Sequence, residues 1–148
     1  MNIDKLLEKP YWIVDILPEQ VPKDSAGQYF AIEEFYLREP QASALRKRFA
    51  NVILKLNCYY DISFVNDFAG EASGSAKINP NPEDVVKIFA GENAAEYIRI
   101  LVGTEDTLIV SSRDYTYLTV YNPTEHILEL IRLIAEAEGL FVWKPGNP

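Results

Sequence analysis

TYLTVYNPTEHILELIRLIAEAEGLFVWKP, residues 116–145, reads as strand, capped helix, glycine stop and strand. Tyr117 to Tyr121 is aromatic and β-branched, which suits a pleated, half-buried surface. Asn122 is placed to cap the helix, with Pro123 in the first helical position, where a missing N–H costs nothing. Glu125 stands three residues after that cap, within reach of its backbone N–H and near the positive end of the helix dipole. Ile127, Leu130, Ile131 and Ile134 form one helical stripe, and Gly139 can take the left-handed conformation that ends a helix. Leu140 to Trp143 then reads as a short strand stopped by Pro145. Tight loops on both sides of the helix predict that the two strands are parallel neighbours joined by a right-handed crossover.

Working outward, residues 97–103 (YIRILVG), 107–111 (TLIVS) and 115–121 (YTYLTVY) predict an antiparallel meander with alternating faces. A short helix is expected at 82–90, with Asn81 as cap, Pro82 first and Gly91 closing it. Residues 41–57 predict a long helix whose apolar face is Leu45, Phe49, Val52, Ile53 and Leu56. YWIVDIL (11–17), QYFAIEEFYL (28–37) and YYDISFV (59–65) read as strands, and residues 66–80 as a small, polar loop. The expectation is one α+β domain over residues 1–148. It is a two-layer sandwich with a mixed, mostly antiparallel sheet of six to seven strands, and two long helices and one short helix on one face. Within it, residues 11–65 and 97–145 read as ββαβ-like halves joined by 66–96.

Composition narrows the function. Residues 1–65 carry nine acidic and eight basic side chains, and residues 66–148 thirteen and six, so most of the net charge of −8 falls in the second half. Such a surface repels phosphate backbones and anionic lipid, so neither nucleic acid nor membrane is expected as a partner. One cysteine, Cys58, excludes an internal disulfide; with a single histidine it argues against zinc. The opening MNIDKLLEKPYW has no apolar signal core and reads as mature sequence, and the expected compartment is the cytoplasm.

No residue pattern here spells a reaction. Glu33 and Glu34, neighbours on a strand, would point to opposite faces. His126, in the first turns of the last helix, has Tyr121 and Glu125 near it but no serine or cysteine motif to pair with. Cys58 follows a helix C-terminus, the wrong end for a thiolate, and is expected to be a small buried residue. Gly70 and Gly74 match neither GxGxxG nor GxxxxGK[ST]. No catalytic residue, cofactor site or metal site is assigned.

The tyrosines remain. Tyr115, Tyr117 and Tyr121 share one strand face, opposite Leu118 and Val120, and Tyr97, Arg99 and Leu101 share a face opposite Ile98, Ile100 and Val102. If the aliphatic sets meet the helices, the tyrosines lie on the outer sheet face, an amphipathic aromatic surface of the kind enriched at interfaces. The leading expectation is a non-enzymatic, inhibitor-, immunity- or adaptor-like module. It would bind a protein, of basic character, through Tyr97, Tyr115, Tyr117 and Tyr121, rimmed by Glu105, Asp106 and Asp114. Two alternatives stand beside it: a small-molecule binder or enzyme with a pocket near loop 66–80, and a structural homodimer built on the outer sheet face or the last helix.

Overall fold

The computed structural model describes residues 3–65, 77–91, 97–103, 106–112 and 116–146. In chain order the elements are α1 (Ile3–Leu6), β1 (Tyr11–Asp15), α2 (Ala26–Tyr36), α3 (Gln41–Leu56), β2 (Ile62–Phe64), β3 (Lys77–Ile78), α4 (Pro82–Phe89), β4 (Arg99–Val102), β5 (Thr107–Ser111), β6 (Leu118–Tyr121), α5 (Glu125–Ala137) and β7 (Phe141–Trp143). The seven strands form one sheet in the order β3-β2-β4-β5-β6-β1-β7. Every strand pairing among the described residues is antiparallel.

The α+β sandwich is the expected one. Helix α3 packs against both α4 and α5. Its stripe Leu45, Phe49, Val52, Ile53 and Leu56 is buried, as are Val85 and Phe89 of α4 and Ile127 and Ile131 of α5. Beneath them the sheet contributes Val14, Ile62, Ile100, Val102, Ile109, Leu118, Val120 and Val142 to one core. The alternation of buried and half-buried positions in β4 and β6 is the amphipathic pattern of a sheet with one face on the core.

Three local readings are corrected. First, β6 and β7 run parallel but are not neighbours, because β1 lies between them and is antiparallel to both. Val14 is fully buried there, so the most apolar N-terminal strand takes a central place and leaves the three-residue β7 at the edge.

Second, residues 28–37 are not a strand: they fall mainly in α2, so the first half runs β-α-α-β. Tyr29, Ile32, Glu33 and Tyr36 stand at the i, i+3, i+4, i+7 spacing of a helix face and line a narrow space against Ile16, Leu45 and Thr116. Phe30 and Phe35 lie off that face, which spreads apolar residues round the helix and hides its period.

Third, the cap of α5 is Thr124, whose hydroxyl accepts from the Ile127 amide at 3.1 Å. Asn122 is taken by the β4–β5 turn: its Nδ2 donates to the Asp106 carbonyl at 2.8 Å, and its own carbonyl accepts from Thr107 Oγ1 at 3.1 Å. It adopts φ +58°, a left-handed conformation that asparagine tolerates. Gly139 does end the helix at φ +78°. Its amide donates to Glu136 O and the Leu140 amide to Ala135 O, the paired bonds of a Schellman turn.

Candidate functional site

The outer sheet face is where the tyrosines lie. In register, Thr119 of β6 stands opposite Val110 of β5, and Val110 opposite Arg99 of β4, while Tyr121 faces Leu108 on one side and Tyr11 on the other. Tyr97, Tyr117 and Tyr121 line one groove of about 460 Å³, together with Val110, Ser111, Ser112, Thr116, Thr119 and Glu33. Tyr97 and Tyr117 are 47% and 39% exposed. Tyr121 is half-buried, its ring centroid 5.4 Å from that of Tyr11. Burial, with Tyr11 and Tyr117 alongside, pushes its phenol pKa up, so Tyr121 enters any contact as a neutral hydroxyl.

The turn between β5 and β6 is held by Ser112. Its hydroxyl oxygen accepts from the amides of Thr116 at 2.9 Å and Tyr117 at 3.2 Å, and its own amide donates to Tyr117 O. On the neighbouring pair Ser111 Oγ accepts from the Ile98 amide at 2.8 Å, which fixes the backbone next to Tyr97. Two of the three aromatic walls therefore stand on backbone pinned by short side-chain hydrogen bonds.

Glu33 also lines the groove. It comes from α2, and the Tyr29 hydroxyl reaches its Oε2 at 3.4 Å. Asp15 shares the narrow space beneath α2 with Glu33. Burial pushes the Asp15 carboxyl above its usual range, against a hydrogen bond of 2.7 Å from the Ile16 amide, and the charge on Glu33 pushes the same way. The indole N–H of Trp143 favours the charged form of Asp15 from outside hydrogen-bond geometry; Nε1 is buried and has no partner.

Of the residues expected to form the surface, Tyr97, Tyr117 and Tyr121 are together, and Asp106 is exposed on the turn beyond Tyr121. Tyr115, Glu105 and Asp114 lie outside the described residues, as do Gly70, Gly74 and most of loop 66–80. Sequence reading missed Glu33, because its placement depends on α2 being a helix. It also missed that part of this face is covered: Leu108 and Ile13 point to it and are buried, and α1 packs on β5.

The other candidates are dispersed. His126 Nδ1 lies 2.6 Å from the Tyr60 hydroxyl on the exposed start of α5, far along the sequence from the partners expected for it. Cys58 is exposed rather than buried, because α3 ends one turn before the sheet resumes at Ile62 and the sulfur stays outside. Among the described residues no group of three or more His, Cys, Asp or Glu could hold a metal ion, and no helix is long and apolar enough to cross a membrane. Comparison with protein-family models, with curated proteins and with solved structures gave no match.

Proposed function

We propose that this chain is a non-enzymatic binding domain whose tyrosine groove receives a basic segment of a protein partner. The observation that carries the reading is the convergence of Tyr97, Tyr117 and Tyr121 with Glu33 in one open groove on the face away from the core helices. Tyrosine rings offer large contact area, few rotatable bonds and a hydroxyl that can stay wet, which is why they concentrate at interfaces. Ring faces and a carboxylate together suit the guanidinium or ammonium end of an arginine or lysine. The net charge of −8 adds a long-range attraction for such a partner.

The test is capture of a partner by the intact chain, then repetition with Tyr97→Ala, Tyr117→Ala and Glu33→Gln. Binding that weakens in all three, that is competed by arginine-rich peptide and falls with salt, supports the reading. Undiminished capture by the tyrosine variants, at unchanged melting temperature, would remove it. A groove of about 460 Å³ is also within the range of small-molecule sites. A ligand that raises the melting temperature of the wild-type chain but not of Tyr117→Ala would favour that second reading.

A further inference from the structure

One row of side chains crosses the outer face of the sheet. Ser111 Oγ accepts from the Ile98 amide and the Ser111 amide donates to the Ile98 carbonyl, so the next residues, Tyr97 and Ser112, stand side by side. The Ser112 amide donates to the Tyr117 carbonyl, and one step on from the Val14–Leu118 pair Asp15 stands beside Tyr117. From β4 to β1 the row therefore reads Tyr97, Ser112, Tyr117, Asp15. Its floor is low at Ser112, which is buried with its hydroxyl turned to the amides of Thr116 and Tyr117. Two strand spacings, roughly 10 Å, separate the two tyrosines. Beyond Tyr117 the carboxylates of Asp15 and Glu33 share the space beneath α2, and Glu33 also lines the tyrosine groove.

Resting on the tyrosine-groove reading above, the geometry points to a polyproline-II segment as the occupant, laid across the strands with a basic residue beyond Tyr117. Such a helix has three residues per turn and advances about 9 Å in that turn, so residues i and i+3 come over Tyr97 and Tyr117 while the turn between them bridges Ser112. An extended strand repeats its face about every 6.6 Å and falls out of step with the two rings. An α-helix spans them only over about seven residues, and so short a helix is unstable by itself in water. Polyproline-II is formed before it binds, so an open groove can hold it at small ordering cost. Its carbonyls have no internal partner and are open to the Tyr97 hydroxyl, and aromatic-lined grooves suit its proline rings. An arginine one or two residues past i+3 reaches Glu33, and the net charge of −8 draws it in.

Two synthetic peptides test this on the full chain, by titration followed through amide NMR shifts and tyrosine and tryptophan fluorescence. One carries proline from i to i+3 and then arginine; in the other every proline is glycine and the arginine stays. The proline peptide should bind at least about tenfold more tightly and shift the amides around Tyr97, Ser112 and Tyr117. Tyr97→Ala and Tyr117→Ala should each weaken it about tenfold at unchanged melting temperature. Replacing the peptide's arginine by alanine should weaken binding to the wild type and leave binding to Glu33→Gln nearly unchanged. Equal affinity for the glycine peptide overturns the polyproline-II inference and leaves the basic-segment reading standing. A shift map centred elsewhere, or undiminished binding by the two tyrosine variants, overturns both. No binding of the proline peptide up to about 1 mM also overturns the inference, and the basic-segment reading falls with it only if the glycine peptide is silent too.

Discussion

Glu138 offers a quantitative test of how the helical layer is held. It is the C-terminal cap residue of α5, an unfavourable place for a negative charge next to the helix dipole. Yet its Oε2 accepts from Lys55 Nζ at 2.6 Å and its Oε1 from Asn51 Nδ2 at 3.0 Å, so one carboxylate joins α5 to two positions of α3. Burial is the largest single influence on its pKa and acts upward. The hydrogen bonds from Lys55 and Asn51 and the charges of Lys55 and Arg48 together outweigh it and hold the group below its usual value. The Glu138 side chain is 11% exposed, whereas that of Lys55 is 50% exposed, so the ion pair is discounted for water. With about 1 kcal/mol for the Lys55 contact and about 1 kcal/mol for that of Asn51, Glu138→Ala should cost roughly 2 kcal/mol at neutral pH. Glu138→Gln can keep the Asn51 bond and should lose about half of that. A folded-state pKa below the unfolded one contributes stability that is present above the unfolded value and lost as pH falls through the folded value. As pH falls the wild type should therefore drop toward Glu138→Gln, while Glu138→Ala, which also lacks the Asn51 bond, keeps about half of its deficit. Urea unfolding followed by fluorescence of Trp12 and Trp143, at neutral pH and near pH 3, reads both quantities. A loss under about 0.5 kcal/mol at neutral pH, or one of the same size in acid, refutes the reasoning.

Asp15 has the opposite sign. Its pKa is raised by burial, so the fold favours the neutral acid, and stability falls as pH climbs from the unfolded value through the folded one. Asp15→Asn, which keeps an oxygen for the Ile16 amide, should unfold at a higher temperature than wild type at neutral pH and match it near pH 3. Phe49 is fully buried at the centre of α3, and Phe49→Ala should cost about 3–5 kcal/mol in denaturant unfolding without changing far-ultraviolet circular dichroism below the transition. Gly139→Ala forces a side chain into φ +78°, and the cost is that of the left-handed backbone, since the nearest atom, Arg48 Nη1 at 3.6 Å from the new Cβ, is in ordinary contact. The expected loss is about 1 kcal/mol or more, read from the same unfolding curves. Thr124→Ala removes the hydroxyl that caps α5 and should cost about 1 kcal/mol, whereas the cap expected from sequence, Asn122, should act through the β4–β5 turn instead.

What the chain alone determined are the features set by contacts a few residues apart. The stripes of α3, α4 and α5, the Asn81 cap on Asp84 N, the Gly139 stop and the alternation that puts Leu118 and Val120 opposite the tyrosines all follow from spacings of two to four residues. Tertiary structure decided the rest, because those choices depend on partners remote in sequence. Whether Asn122 caps a helix or braces a turn is settled by Asp106 and Thr107. The place beside β6, read from sequence as that of β7, is taken by β1, more than a hundred residues earlier, with Val14 buried there. The same holds for the groove: its tyrosines were legible from alternation, but Glu33 joins them only once α2 coils and docks on α3, which no local period in residues 28–37 announces. Alternation in a strand says which side chains share a face; only packing of the whole chain says what else comes to stand there.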